Sequence, residues 1–172
     1  MLFRSVSQSR SRGGFILDAG SGSGRDTCEF LSRGFQVEAF DASSALAELS
    51  SAYTGQNTQV ATFEDWRAQP GRFDGIWAFA SLLHVKRSDL APVLAKLGTS
   101  LKSGGWLFAS FKYGRKDTYD NLGRAYTNMT IKSARALISS VGLFGKIKVW
   151  RVSAPAAHGE TTQWTYILAQ RL

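Results

Sequence analysis

A short apolar strand running into a glycine-rich turn constrains this chain more than any other feature. Residues 16–26 spell Ile-Leu-Asp-Ala-Gly-Ser-Gly-Ser-Gly-Arg-Asp. Gly20, Gly22 and Gly24 follow a G-x-G-x-G spacing, and Arg25 stands where the dinucleotide-binding fingerprint has its third glycine. Because glycine has no Cβ, the backbone of such a turn can come close to a ligand. The helix expected to follow offers free N–H groups to polar or anionic atoms.

An acidic residue closes the next apolar run. This residue, Asp41, ends residues 35–41 and follows Gly24 by 17 positions. In nucleotide-binding βαβ units, a carboxylate at about this distance binds the two hydroxyls of a ribose. The glycine turn and the acid together predict a site for a nucleoside-bearing cofactor.

Three segments in order resemble the class I S-adenosylmethionine-dependent methyltransferases, most closely the small bacterial stand-alone enzymes that act on small molecules. Residues 16–24 are similar to the first motif of that family, and residues 73–84 and 101–112 to its fourth and fifth strands. The resemblance covers roughly residues 15–172. It implies an α/β fold with a Rossmann-like, doubly wound, mostly parallel seven-stranded sheet that ends in an antiparallel hairpin. It also implies S-adenosylmethionine as the cofactor.

The chain of 172 residues is long enough for one domain, which we place at residues 15–172. Residues 1–14 are basic and serine-rich, and we expect them to be flexible. Enzymes of the family usually carry one or two helices here that roof the cofactor, so we expect either an open site or a truncated relative. The sequence has neither a run of about 20 apolar residues nor an apolar signal core. A single cysteine, Cys28, fits a reducing cytoplasm.

Strands and helices alternate in the sequence pattern, as in a sheet with helices on both faces. Ser43, Ser88 and Thr130 are the expected N-caps of the second, third and fourth helices. The predicted strands are 15–18, a second ending at 41, 59–63, 73–80, 106–111, 146–152 and 163–169, and the first and last helices are 25–33 and 131–141.

The resemblance implies a set of cofactor contacts at the carboxyl ends of the strands. Asp18 is expected to neutralise the α-ammonium group, or alternatively to accept the N–H groups of the glycine turn. Asp41 is expected to bind the ribose, or alternatively to cap the helix at Ser43. The remaining predicted cofactor residues are Gly20, Ser21, Gly22, Gly24, Ala42, Thr62, Phe63 and Ala80.

The adenine ring should lie between Ala42 and the end of the third strand. Family members often have an acid there, but this chain has Thr62 in its place. The Phe63 backbone N–H is then the expected adenine contact, with Glu64 and Asp65 as alternatives. No metal site is predicted.

His84 follows the fourth strand, where the acceptor cavity of the family opens. It is either a base for the acceptor's proton or a loop histidine packed beside the cofactor. A sulfonium carries its own leaving group, so positioning can supply much of the rate without a catalytic side chain. No carboxylate that would orient His84 is visible in the sequence, the nearest acid being Asp89. We therefore expect His84 to assist catalysis without being indispensable.

The loop after the fifth strand is rich in cationic and phenolic side chains. It could orient an anionic acceptor, or it could simply be solvated. The candidate substrate-binding residues are Lys112, Tyr113, Arg124 and Tyr126.

The formal net charge is +8, which suits an anionic substrate or RNA. The basic excess is scattered, however, and no aromatic and basic residues interleave as in an RNA-recognition strand. We therefore favour a small-molecule methyltransferase. A non-catalytic cofactor-binding module that needs a partner, an RNA methyltransferase and a nicotinamide-dependent reductase remain as alternatives. The oligomeric state is not predicted.

Overall fold

The computed structural model describes residues 13–155 and 161–172. The predicted flexible segment 1–14 therefore lies outside the described residues except for its last two glycines. Nine strands and four α-helices are present in the described ranges. The strands are β1 (Phe15–Ala19), β2 (Gln36–Asp41), β3 (Thr58–Val60), β4 (Phe73–Ala78), β5 (Leu101–Lys112), β6 (Thr118–Tyr119), β7 (Ala125–Tyr126), β8 (Phe144–Pro155) and β9 (Thr161–Arg171). The helices are α1 (Arg25–Ser32), α2 (Ser44–Thr54), α3 (Leu90–Ser100) and α4 (Ile131–Ser140).

Seven of the strands form one sheet in the order β3-β2-β1-β4-β5-β9-β8. Neighbouring strands from β3 to β5 pair in parallel, whereas β9 is antiparallel to both β5 and β8. The predicted fold class is confirmed, including the closing hairpin. The order reverses at β1, between β2 and β4, which is where ligands bind in open α/β sheets.

The sheet is covered on both faces. On one face, Leu17 and Ile76 are fully buried in a core that extends to side chains of α3 and α4. On the other, the Phe30 ring of α1 meets the Trp77 ring edge-on at 5.7 Å, and Trp77 in turn stacks on Phe108 at 4.3 Å. These strands are held by side chains on both sides, so the carboxyl ends of β1, β2 and β4 form a firm base for a site.

Helix starts follow the predicted capping pattern at two of three positions. The Ser43 hydroxyl accepts the Leu46 N–H at 3.3 Å, and Thr130 forms a reciprocal capping box with Ser133. The prediction for Ser88 was wrong, because α3 begins one residue later with Asp89 as its N-cap. Ser88 instead donates its hydroxyl to the Asp89 carboxylate.

Several strand bounds differ from the sequence pattern. β4 ends at Ala78, two residues earlier than predicted, and β8 and β9 extend beyond both of their predicted ends. β3 ends at Val60, so the loop that follows begins earlier than predicted. β5 begins at Leu101, which pairs with Phe73 on β4. The small hairpin of β6 and β7 was not predicted, because strands of two residues leave no periodicity to detect.

Helices within the described ranges have at most 11 residues, and none is long and apolar enough to cross a membrane.

Candidate functional site

The glycine turn is tied to the end of β2. The N–H groups of Gly20 and Ser21 both donate to the Phe40 carbonyl, at 2.9 and 3.0 Å. Gly20 has a φ of +78°, and a Cβ built there would lie 2.3 Å from the Cβ of Ser81. Only glycine fits this position, because any side chain would meet the loop after β4.

That loop is itself held under strain. Ala80 adopts a φ of +52°, uncommon for a residue with a Cβ. Its N–H donates to the Ser110 hydroxyl at 2.7 Å, and the Ser81 hydroxyl donates to the Ala19 carbonyl at 2.6 Å. Hydrogen bonds from β1 and β5 thus fix a strained turn beside the glycine loop, and strain of this kind clusters at functional sites.

Asp18 is a buried carboxyl at the end of β1, only 2% exposed. It accepts the Thr27 hydroxyl at 2.6 Å. Burial raises the pKa of Asp18 to about 7, an effect that the Thr27 hydrogen bond opposes and the nearby Asp26 charge reinforces. An ammonium group bound beside Asp18 would favour the ionised carboxylate and relieve the cost of its burial. The alternative in which Asp18 accepts the glycine-turn N–H groups was wrong, since those groups bond elsewhere.

Asp41 holds the turn from the β2 side. One carboxylate oxygen accepts the Gly22 N–H at 2.8 Å and the other accepts the Ser43 N–H at 2.9 Å. The alternative role predicted for Asp41, a bond to the segment that begins the second helix at Ser43, is therefore observed. The N-cap hydrogen bond itself is supplied by the Ser43 hydroxyl. Each carboxylate oxygen can accept more than one hydrogen bond, so Asp41 retains capacity for a ligand.

A cavity of about 570 Å³ opens between these segments. This volume is within the range of small-molecule and cofactor sites. Ten of the predicted site residues line it: Asp18, Gly20, Ser21, Gly22, Asp41, Ala42, Thr62, Phe63, Ala80 and His84. Gly24 is outside the lining, because it is buried against α2, where a Cβ would lie 2.7 Å from the Ser50 hydroxyl.

Sequence reasoning missed other lining residues. Arg25 and Asp26 directly follow the glycine motif, and Phe79 and Ser81 flank Ala80, so proximity to the motifs could have found them. The complete additional set is Ser23, Arg25, Asp26, Phe40, Leu46, Ala61, Phe79, Ser81 and Val85.

The predicted adenine segment lies in the loop after β3. The Thr62 hydroxyl donates to the Asp65 carboxylate at 2.9 Å, and the Phe63 ring meets the Phe40 ring edge-on at 5.2 Å. Of the two alternatives, Glu64 lines the cavity and Asp65 does not. An apolar wall formed by Phe63, Phe40 and Ala61 suits a flat aromatic ring.

His84 also lines the cavity, in a 3-10 turn at Leu82–His84. Its Nδ1 lies 3.1 Å from the Ala125 carbonyl, and its ring centroid is 4.8 Å from that of Tyr126. No carboxylate partner was expected for this ring, and the group that orients it is instead a backbone carbonyl 41 residues away in the chain. A carbonyl can only accept, so Nδ1 is the donor and the neutral ring has its lone pair on Nε2.

The structure divides the four candidate substrate residues, none of which lines the cavity itself. Lys112 places its ammonium 3.7 Å from the ring centroid of Tyr126, which in turn contacts His84. Arg124 is paired with Asp120 at 2.6 Å, and Asp120 also accepts the Tyr126 hydroxyl at 3.1 Å.

Tyr113 lies apart from this group. Its ring is 5.1 Å from the guanidinium carbon of Arg151 on β8, and its side chain is exposed. Lys112, Tyr126 and His84 are thus brought together, whereas the charge of Arg124 is already compensated.

The model of a methyltransferase domain family matches residues 16–105, which include the glycine turn, Asp41 and His84. This chain belongs to that family. It is a class I methyltransferase that uses S-adenosylmethionine. No curated protein sequence matches the chain significantly.

Solved structures share the fold at low sequence identity. A methyltransferase from Methanosarcina mazei superposes with a TM-score of 0.81 at 17% identity, covering 98% of this chain and 97% of that one. The 1,6-didemethyltoxoflavin-N1-methyltransferase of Burkholderia thailandensis gives 0.80 at 22% identity, covering 99% and 75%. Phosphoethanolamine N-methyltransferase 2 of Haemonchus contortus gives 0.79 at 14%, covering 98% of this chain and 51% of that one.

Proposed function

We propose that this methyltransferase acts on a small-molecule acceptor that carries a negative charge, recognised by Lys112 beside His84. S-adenosylmethionine would occupy the cavity beside the glycine turn, and the acceptor would enter from the end that His84 lines. The uncompensated cation of Lys112 is the observation that carries this proposal.

The residues of the cavity fit the cofactor. The Ser21 hydroxyl oxygen is shielded from solvent and has no hydrogen-bond partner among the described residues, so it is available to bond a polar atom of the cofactor. A Cβ built on Gly22 would meet nothing within 4 Å, so the turn leaves open space there. Asp41 would bind the ribose hydroxyls, Asp18 the ammonium group, and the Phe63 segment the adenine ring.

Lys112 supports a negatively charged acceptor. Within residues 13–155 and 161–172, no carboxylate lies at ion-pair distance from its ammonium. Its positive charge instead rests on the face of Tyr126, a ring that also contacts His84. Lys112 is thus a half-buried cation without a counterion, and only the ring of Tyr126 stands between it and the cavity-lining His84. Such a cation favours the binding of an anionic group.

Two of the similar structures are consistent with a small acceptor. The Burkholderia thailandensis enzyme was solved with 1,6-didemethyltoxoflavin and S-adenosylhomocysteine bound. The Haemonchus contortus enzyme is named for phosphoethanolamine, a small molecule with an anionic phosphate.

The main catalytic contribution of the protein would be to position the methyl donor and the acceptor. When bound, S-adenosylmethionine supplies a methyl group on a cationic sulfur that is already a good leaving group. Asp18 would fix the amino-acid end of the cofactor and Asp41 its ribose, and Lys112 would fix the anionic end of the acceptor, which aligns the reacting atoms. For a hydroxyl or amine acceptor, Nε2 of His84 would take the proton released at the acceptor atom.

The test is a comparison of matched acceptors. Methyl transfer to a panel of small carboxylic and phenolic acids would be measured beside their neutral esters or amides, with wild type and Lys112→Gln. We expect Lys112→Gln to raise KM about 10-fold for charged acceptors only, since one charge-assisted contact is lost. Lys116→Gln, an exposed lysine in the following loop, is the matched control.

Equal effects on charged and neutral acceptors would refute the role of Lys112. Turnover on RNA but on no small molecule would refute the acceptor class.

A further inference from the structure

Arg25 is a cation held at the rim of the cavity by a chain of contacts that the proposed function does not use. The Trp77 indole N–H donates to one oxygen of Asp26 at 2.8 Å, and the Nε of Arg25 donates to the other at 2.8 Å. The Arg25 guanidinium carbon lies 5.8 Å from the ring centroid of Phe79, another cavity residue.

This arrangement leaves the outer edge of the guanidinium available. Only Nε is engaged, and within the described part of the chain the two terminal nitrogens of Arg25 make no hydrogen bond. The side chain is 75% exposed and lines the cavity. Terminal guanidinium nitrogens suit a carboxylate, whose two oxygens match their spacing. Arg25 is also the first residue of α1, where the helix dipole favours an anion.

Asp18 supplies the opposite charge nearby. Asp18 and Arg25 interact electrostatically across the same cavity. Asp26 is less suited to a ligand cation, since its charge already forms an ion pair with Arg25 itself at 2.8 Å. The ammonium and carboxylate of an α-amino acid are attached to one carbon, so a site for that group needs an anion and a cation close together.

We propose that Arg25 binds the α-carboxylate of the cofactor while Asp18 binds its α-ammonium, so that together they recognise the amino-acid end of S-adenosylmethionine. The proposal rests on the proposed occupation of this cavity by the cofactor. It assigns a binding role to the residue that replaces the third glycine of the dinucleotide fingerprint. Glycine at this position would have no side chain to offer the carboxylate.

Calorimetric titration with a pair of ligands isolates this contact. S-adenosylmethionine and its decarboxylated analogue differ only in the α-carboxylate, so each protein variant would be titrated with both. We expect Arg25→Ala to weaken S-adenosylmethionine binding about 10-fold. Binding of the decarboxylated analogue should change less than about 3-fold, which allows for the weaker support of the Asp18 charge.

Two variants control for charge and for folding. Arg25→Lys keeps the positive charge but loses the fork, so we expect a smaller, carboxylate-specific loss of about 3-fold. Lys132→Ala removes an exposed cation on α4 and should bind both ligands as the wild type does. Unfolding curves for every variant would show that the fold is retained.

An equal loss of affinity for both ligands in Arg25→Ala would overturn the proposal, since Arg25 would then act through Asp18 or the loop. Unchanged affinity for both would overturn it as well. Failure of the wild type to bind either ligand would instead overturn the proposed occupation of the cavity, and this inference with it.

Discussion

Replacing Asp18 with asparagine should stabilise the unliganded protein at neutral pH while weakening cofactor binding. The pKa of Asp18 is raised from 3.8 to about 7, chiefly because the carboxyl is buried. At about 1.4 kcal/mol per pKa unit, the ionised form costs the folded state about 4 kcal/mol. Asparagine removes that cost and can still accept the Thr27 hydroxyl.

The direction in which the stability difference changes with pH depends on whether the folded or the unfolded chain holds the Asp18 proton. Below pH 4 both folded and unfolded Asp18 are protonated, and no cost arises. Between pH 4 and 7 the unfolded chain releases the proton that the folded chain retains, so wild-type stability falls relative to the variant. Above pH 7 the difference is constant. An amide N–H that gains no partner offsets part of the benefit, so we expect Asp18→Asn to be about 2 to 4 kcal/mol more stable at pH 8.

Urea unfolding followed by tryptophan fluorescence at pH 4.5, 6, 7 and 8 would measure this difference. Other titrating groups cancel when the two proteins are subtracted. Calorimetry at pH 8 should show that Asp18→Asn binds S-adenosylhomocysteine at least about 30-fold more weakly, because a neutral amide cannot pair with the ammonium. A variant that is less stable than the wild type at pH 8, or a stability difference that does not change with pH, would refute the reasoning.

Four further substitutions test separate parts of the site. Asp41→Ala should lower cofactor affinity by about 2 to 4 kcal/mol in calorimetry, since it removes charge-assisted hydrogen bonds to the ribose; unchanged affinity with an intact circular dichroism spectrum would exclude Asp41. Gly20→Ala should cost about 3 to 5 kcal/mol of unfolding free energy, because its Cβ overlaps the loop after β4. Gly22→Ala should cost only about 1 to 2 kcal/mol of unfolding free energy, because its Cβ would meet no protein atom within 4 Å. That Cβ would instead project into the space beside the turn, so we expect most cofactor binding to be lost. Equal thermal destabilisation by Gly20→Ala and Gly22→Ala would contradict this contrast. His84→Ala should lower kcat about 10- to 100-fold on a hydroxyl or amine acceptor, and complete loss of turnover would instead make His84 the essential base.

The fold and the glycine-turn end of the cavity could be predicted from the sequence because their signals are local. The glycine turn and Asp41 belong to one βαβ unit, and their geometry follows from chain direction and strand pairing. The alternation of strands and helices likewise predicted the parallel sheet, and the resemblance to the family implied its closing hairpin.

The acceptor end depends on contacts between distant segments, which spacing does not encode. The Ala125 carbonyl meets His84 only because the loop after β5 folds back over the 3-10 turn. The sequence does not show which of the two cations, Arg124 or Lys112, is paired with an acid. In the structure Asp120 neutralises Arg124, whereas the Lys112 ammonium lies on an aromatic ring. Arg25 was noticed only as a departure from the glycine pattern, because its contact with Phe79 requires the tertiary structure.

A crystal structure of the protein with S-adenosylhomocysteine tests the central claim most directly. The expected result is electron density in the cavity beside the glycine turn, with the ribose hydroxyls on the Asp41 carboxylate and the α-ammonium on Asp18. Density for the ligand elsewhere, or a ligand in this cavity whose ribose does not touch Asp41, would contradict it.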